Sequence, residues 1–212
     1  TRVWKAVQPD SQTVRFSYTA ADGEGGFPGK LTVTATYRLT DQDELEIAYE
    51  WTADRRTIAN ITNPKFGNLN GERRGPVAGH RLQLVATRYT PVDSTLIPLG
   101  IAPVSGTPFD FTRPRPIGDS LGSSHTQLAY GHGYDHNFVL DKSAPDSLET
   151  AAVVVGDISG IVMEIKTTEP GIQFYGGNFM QSANRLKSGA RDDYRTAFCL
   201  ETQHFPDAPN QR

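Results

Sequence analysis

The chain has 212 residues, of which 37% are hydrophobic, and its formal net charge at pH 7 is -3. This length and apolar content can bury one sizeable core, so we predict a single domain over residues 1–212. The 21 lysines and arginines are outnumbered by 24 acidic residues and lie scattered, which excludes no fold but argues against nucleic acid or an anionic membrane as a partner.

Two further features concern the compartment. No apolar run approaches the roughly 18 residues that a membrane-spanning helix needs. The single cysteine, Cys199, cannot form an internal disulfide. A reducing compartment fits this usage, so we expect a cytoplasmic protein, and secretion is the alternative.

The first half of the chain alternates apolar and polar residues, as half-buried antiparallel strands do. Three such runs cover residues 14–18, 31–39 and 45–51. A glycine-rich loop over residues 22–29 and a hairpin turn over residues 40–44 join them. We disfavour a phosphate-binding loop at the glycines, because no lysine with an adjacent serine or threonine and no helical pattern follow them.

The second half reads as more strands with little helix. Residues 60–71 form an amide-rich loop, and the prolines between residues 91 and 116 favour extended backbone. One short helical turn fits within residues 117–129. The predicted strands cover residues 80–86, 138–140, 151–155, 160–165, 172–175 and the alternating run that begins at 197. Many short strands with turns between them predict an all-β sandwich or barrel.

The run over residues 197–206 places a glutamate, Glu201, among apolar neighbours such as Phe198 and Leu200. Desolvation disfavours the charged carboxylate, while a donor such as Gln203 or a bound hydroxyl favours it. Such a group can take and return a proton, so Glu201 is a candidate base. A strand-end glutamate paired on the surface is the alternative.

A second candidate lies in residues 131–138, where His132 and His136 flank Asp135. On an extended strand both imidazoles would share one face, so a metal site must be considered. The neighbouring glycines favour a turn, however, and no further histidine or cysteine has a ligand's spacing, so we expect no metal. Asp135 is better interpreted as an acceptor for a polyhydroxylated ligand, with a loop-capping role as the alternative.

A third candidate is Gln173, an amide set between aromatic residues in the run over residues 171–179. Aromatic rings offer flat faces to the C–H groups of a sugar, while amides and carboxylates address its hydroxyls. A core aromatic strand has the same pattern. Nucleophilic catalysis is disfavoured, because Ser159 lacks the spacing of a nucleophile elbow and Cys199 has no helix start to lower its pKa.

Six segments, taken together and in order along the chain, resemble the aldose 1-epimerase (galactose mutarotase) family: residues 92–93, 96–100, 104–111, 133–138, 171–179 and 198–207. The resemblance implies a large antiparallel β-sandwich of the galactose mutarotase type, no cofactor and a monosaccharide substrate. It implies that the α and β anomers of a free hexose, such as galactose or glucose, interconvert by ring opening. Glu201 would be the base at the C1 hydroxyl, and Asp135 and Gln173 would bind sugar hydroxyls.

One departure from the family pattern supports a second hypothesis. Where the family has Thr-Asn-His-Ser-Tyr-Phe-Asn-Leu, residues 62–69 read Thr-Asn-Pro-Lys-Phe-Gly-Asn-Leu, so that Pro64 replaces the histidine expected to be the general acid. Proline donates no proton, and Lys65 could replace the acid only if its pKa fell far below about 10.4. The alternative is therefore a non-catalytic sugar-binding sandwich.

The resemblance leaves a third alternative and one further expectation. A related mutarotase for phosphorylated hexoses would need converging cations, for which Arg73, Arg74 and Arg113 are candidates. The family carries strands before the segment that matches Thr1 and a short tail after the glutamate motif. We therefore expect an incomplete sandwich whose strand edges a partner or a second copy would cover.

Overall fold

The computed structural model describes residues 2–211. The chain divides into two compact units, one ending at Ile61 and the other beginning at Thr62. Each unit is built from antiparallel strands. The single domain over residues 1–212 stays a prediction.

The first unit is a four-stranded antiparallel sheet with the strands in chain order. Its strands are β1 (Lys5–Val7), β2 (Thr13–Ala20), β3 (Leu31–Leu39) and β4 (Leu45–Ala53). The three alternating runs of the sequence are confirmed as β2, β3 and β4, while β1 was not predicted. The predicted loops are also present, with a short 3-10 turn over Glu24–Gly26 and a hairpin closed by Thr40 N–H donating to the Glu44 carbonyl at 2.9 Å.

The second unit contains two antiparallel sheets. Its strands are β5 (Arg81–Leu84), β6 (Arg88–Tyr89), β7 (Ala102–Pro103), β8 (Arg115–Pro116), β9 (Asp135–Val139), β10 (Glu149–Val155), β11 (Val162–Thr167), β12 (Gly171–Tyr175) and β13 (Cys199–Gln203). One sheet has the order β11-β10-β5-β8, and the other has the order β13-β12-β9-β6-β7.

The two sheets of this unit share one hydrophobic core. Leu82, Leu84 and Val154 enter it from the first sheet, and Phe138 and Phe174 enter it from the second. All five side chains are removed from solvent. The arrangement is that of an antiparallel β-sandwich, which confirms the predicted fold class.

Helix is scarce in the second unit. The helix α1 (Thr126–Tyr130) and 3-10 turns over Val77–Gly79, Ile117–Ser120 and Ala208–Asn210 are the helical segments of its described residues. The short helical turn predicted within residues 117–129 is confirmed, apart from the last residue of α1. Within residues 2–211, no helix has the length and apolar character needed to cross a lipid bilayer.

Some strand predictions need correction. The strand predicted over residues 138–140 runs from Asp135 to Val139, and the strand predicted over residues 160–165 runs from Val162 to Thr167. The first error arose because Asp135 and Asn137 break the apolar run, although their backbones pair with β12. The short strands β6, β7 and β8 were missed, since two residues give no periodicity.

Candidate functional site

Polar side chains from three neighbouring strands meet on one face of the five-stranded sheet. In the antiparallel register, Gln173 of β12 lies opposite Glu201 of β13 and opposite Asn137 of β9. Asp135 lies two residues before Asn137 and therefore points to the same face. Strand pairing thus brings together groups that are 66 positions apart in the chain, from residue 135 to residue 201.

These side chains line one cavity of about 410 Å³, a size suited to a small polar ligand. The three residues singled out in the sequence, Asp135, Gln173 and Glu201, all contribute to its wall. The other lining residues are Phe66, Thr90, Val92, Leu96, Pro98, Asn137, Tyr175, Phe179, Gln203 and Pro206. The role of the three as site residues stays a prediction, but they share the cavity that it requires.

The turn before β9 holds Asp135 in place. Gly133 has a φ of +135°, and a Cβ at this position would collide with the side chain of Asn178. Asn178 in turn donates to the Tyr134 carbonyl at 2.7 Å and to the Gly131 carbonyl at 3.2 Å. Tyr134 is buried and donates from its hydroxyl to the Pro108 carbonyl at 2.9 Å. The glycine is therefore required because the backbone passes directly beside the amide that fixes the turn.

Asp135 and Gln173 are directly bonded. The Gln173 Nε2 group donates to Asp135 Oδ1 at 2.8 Å. Burial raises the pKa of Asp135 above its ordinary value, and the hydrogen bond from Gln173 works in the opposite direction. The pair presents an oriented carboxylate, which accepts hydrogen bonds, beside an amide whose oxygen can also accept them.

Glu201 lies in the cavity wall without a hydrogen-bond donor among residues 2–211. Burial raises the pKa of Glu201, and the negative charge of Asp135 adds to the increase. A carboxylate that no protein donor stabilises is more basic than one held in a hydrogen-bond network. The geometry therefore permits Glu201 to take a proton from a ligand in the cavity.

Two amides of the cavity were not singled out as site residues in the sequence. Asn137 is buried, and its Nδ2 group has no hydrogen-bond partner within residues 2–211, while Gln203 lies close enough to donate to Asn137 Oδ1 at 3.3 Å. The two-residue period of side chains along a β-strand would have identified them. Asn137 follows Asp135 by two residues, and Gln203 follows Glu201 by two, so that each shares a face with its predecessor.

Aromatic rings form the rim of the cavity. The rings of Tyr175 and Phe179 lie nearly parallel at 6.2 Å between centroids, and Phe66 meets Tyr175 edge-on at 6.2 Å. Phe66 is 59% exposed and Phe179 is 45% exposed. Exposed rings beside a polar floor can contact the C–H faces of a sugar, which is the division of labour inferred from the sequence.

The two histidines considered as metal ligands lie in different environments. His132 precedes β9 with a φ of +52° and is exposed, so it does not share a strand face with His136. His136 is buried, accepts from Asp135 N–H at its Nδ1 and lies 3.1 Å from Gln127 Oε1 through its Nε2. Among the described residues, no group of three or more His, Cys, Asp or Glu side chains is placed to hold a metal ion.

Cys199 is buried beneath the same face of the sheet, where burial and the charge of Glu201 raise the pKa of its thiol to about 12. A thiol with that pKa is protonated at neutral pH and is a poor nucleophile. Catalysis with Cys199 as the nucleophile therefore stays disfavoured.

Pro64 and Lys65, which depart from the family pattern, are exposed. Neither Pro64 nor Lys65 is among the residues that line the cavity, although Phe66, the next residue, is. Partial burial lowers the pKa of Lys65. No arginine or lysine of the described chain lines this cavity, so Arg73, Arg74 and Arg113 do not converge there on a phosphate group.

Comparison with known proteins identifies the family of the chain. The family model described as Aldose 1-epimerase matches residues 1–212. Galactose mutarotase from Rattus norvegicus is 44% identical over 202 residues, which cover 95% of this chain and 57% of the relative. Aldose 1-epimerase from Escherichia coli (strain K12) is 36% identical over 210 residues, which cover 99% of this chain and 60% of the relative.

A solved structure shows the same fold. The aldose epimerase homologue from C. elegans superposes with a TM-score of 0.85 at 28% identity, over 98% of this chain and 61% of that one. The chain thus spans 57% to 60% of the length of these two curated relatives. With the family model matched from end to end, this chain belongs to the aldose 1-epimerase family.

Proposed function

We propose that the protein is an aldose 1-epimerase that interconverts the α and β anomers of a free hexose such as galactose or glucose. The observation that carries the proposal is the convergence of Asp135, Gln173 and Glu201 on one cavity of about 410 Å³. The names of the relatives, galactose mutarotase and aldose 1-epimerase, support the same reaction class.

The chemistry begins with a proton transfer at C1. Glu201, whose carboxylate has no hydrogen-bond donor among the described residues and whose pKa is raised, takes the proton of the C1 hydroxyl. The C1–O5 bond then breaks, its electron pair goes to the ring oxygen, and C1 becomes an aldehyde carbon. Rotation about the C1–C2 bond and closure on the other face give the second anomer, and the proton returns from Glu201.

The ring oxygen must gain a proton as the ring opens. Pro64 cannot supply it, so the proton comes from a water molecule that enters the cavity and returns to water when the ring closes. Asp135 accepts a hydrogen bond from a sugar hydroxyl, and the Gln173 amide oxygen accepts another. The exposed rings of Phe66 and Phe179 contact the apolar face of the sugar.

Polarimetry of freshly dissolved α-D-galactose and α-D-glucose tests the proposal. The protein should accelerate the change in optical rotation over buffer, and Glu201→Gln should lower kcat roughly 10²- to 10⁴-fold, the usual contribution of a general base. Glu164→Gln is the matched control, because Glu164 also lies on a strand but is exposed on β11. An unaccelerated reaction with the wild-type protein would refute the proposal.

A second candidate function is sugar binding without turnover. It is favoured by Pro64, and by the lack of any histidine among the residues that line the cavity in the described chain. It predicts saturable galactose binding in calorimetry that weakens in Asp135→Ala, together with mutarotation at the buffer rate. If galactose does not bind, this function is wrong as well.

A further inference from the structure

Three side-chain amides form a directed chain along the floor of the cavity. Gln203 Nε2 lies 3.3 Å from Asn137 Oδ1 and 3.5 Å from Gln173 Oε1. Gln173 Nε2 lies 2.8 Å from Asp135 Oδ1. In every link an NH2 group donates to an oxygen, so the direction of donation runs from Gln203 through Gln173 to Asp135.

The carboxylate sets this direction. An ionised carboxylate only accepts hydrogen bonds, so Gln173 turns its NH2 group to Asp135 and its carbonyl oxygen to Gln203. The Gln203 NH2 group has two hydrogens and meets two carbonyl oxygens, one from Gln173 and one from Asn137. If the Gln203 amide turned over, its oxygen would face both of these oxygens, and both links would become repulsive.

The surroundings of Gln203 allow it little freedom. Its side chain is 7% exposed, and that of Asn137 is 1% exposed. Asn137 Oδ1 occupies the space over Gly171, where a Cβ would lie 2.7 Å from that oxygen. In the part of the chain that the structure describes, the Asn137 Nδ2 group has no hydrogen-bond partner, whereas Asn137 Oδ1 accepts from Gln203.

We propose that Gln203 is a positioning residue of the sugar site, acting through Gln173. The Gln203 NH2 group is compatible with only one orientation of the Gln173 amide. In that orientation the Gln173 carbonyl oxygen faces Gln203 and the Gln173 NH2 group donates to Asp135. Asp135 is thereby held in the rotamer that presents its second oxygen to the ligand. The inference rests on the proposed function in so far as the ligand is an aldose.

Gln203→Met tests the role, because methionine has a similar length but no hydrogen-bonding amide. Since Glu201 is untouched, KM for galactose should rise roughly 3- to 10-fold, the value of one or two modest hydrogen bonds, while kcat changes less than 3-fold. Calorimetric Kd should rise by the same factor. His204→Gln, an exposed change at the next position, is the control and should leave both constants unchanged.

A double-mutant cycle separates positioning from packing. If Gln203 acts through Gln173, Gln203→Met should have little further effect on Kd in a Gln173→Met background. The pH dependence of galactose binding gives a second signature. Loss of donation from Gln173 raises the pKa of Asp135, so the acid midpoint of binding should move to higher pH in Gln203→Met.

Gln203→Glu keeps the shape of the side chain should the methionine variant fold poorly. Its carboxylate cannot donate and faces the Gln173 oxygen, so Kd should rise more than in Gln203→Met. Wild-type affinity in either folded variant, or additive effects of the Gln203 and Gln173 changes, would overturn the positioning role. A wild-type protein that neither binds nor converts galactose would instead overturn the proposed function, and this inference with it.

Discussion

Strands β9, β12 and β13 carry opposite chemistry on their two faces. One face places His136, Phe138 and Phe174 in the sandwich core, and the other places Asp135 and Gln173 in the cavity. Neighbouring residues in the chain therefore do different work: Gln173 contacts Asp135, while Phe174 packs against Tyr134 with ring centroids 5.2 Å apart. A single strand thus stabilises the fold through one set of side chains and presents polar groups to the cavity through the other.

The two faces also perturb their titrating groups in opposite directions. Burial lowers the pKa of His136 to about 4 on the core face. On the cavity face, burial raises the pKa values of Asp135 and Glu201. Desolvation disfavours the charged form in all three, so the sign depends only on whether the charged form carries the proton.

The largest effect should come from emptying the core face. Phe174→Ala removes a fully buried ring and should lower the free energy of unfolding by about 3–5 kcal/mol. Gln173→Ala, the adjacent residue on the cavity face, should cost about 1 kcal/mol, because it removes hydrogen bonds at a wall that a ligand or water can reach. Chemical denaturation of both variants measures the difference, and equal losses would contradict the division into faces.

Acidification should lower the free energy of unfolding through His136, which lies on the core face. The folded pKa of about 4 lies below the ordinary 6.5, so the unfolded chain binds the proton more tightly between these values. The contribution of His136 is complete above pH 6.5 and is lost as the pH falls towards 4, which amounts to about 3 kcal/mol.

Unfolding free energies at pH 7 and pH 4 measure this loss. His136→Gln cannot titrate and should show a smaller decrease over the same interval, whatever its stability at pH 7. The same decrease in both proteins would show that other groups cause the acid instability.

On the cavity face, Asp135→Asn should weaken binding more than it changes stability. The carboxylate is lost as a charged acceptor, so Kd for galactose should rise roughly 10-fold. Calorimetry measures the affinity, and Asp141→Asn, an exposed change just beyond β9, is the control. An unchanged Kd in Asp135→Asn would show that the carboxylate does not contact the sugar.

The smallest expected effect is a gain in stability. The folded pKa of Glu201 is raised above its ordinary 4.5, so its favourable contribution exists below that value and is lost as the pH rises through the folded pKa. At pH 7 the ionised side chain is a cost, and Glu201→Gln should therefore unfold at a slightly higher denaturant concentration than the wild type. The gain should vanish near pH 4, and its persistence there would point to packing rather than charge.

Much of the fold could be read from the alternation of apolar residues. The run over residues 31–39 coincides with β3, because every second side chain there is apolar and no polar group interrupts the pattern. The same reasoning placed the start of β9 three residues too late. Asp135 and Asn137 are polar, so the first residues of β9 do not continue the apolar run from which the strand was predicted. They are polar because that face lines a cavity rather than the core.

The candidate site was predicted only in part. Asp135, Gln173 and Glu201 were singled out from local wording and the family resemblance, whereas Asn137 and Gln203 were not. The cavity shape, the rim of aromatic rings and the direction of donation among the amides have no local signal. They depend on which strands are neighbours and on the register between them.

The sequence by itself determined the strand pattern and the all-β class, because alternation depends on side-chain chemistry at short spacing, and its motifs carried the family resemblance that pointed to Asp135, Gln173 and Glu201. Only the tertiary structure decided that Gln173 lies between Glu201 and Asn137, that Pro64 lies outside the cavity wall, and that Gln203 Nε2 lies 3.5 Å from Gln173 Oε1. The physical reason is that antiparallel pairing of β9, β12 and β13 joins segments far apart in the chain, and a shift of one residue in that register would turn every polar group of a strand to the opposite face.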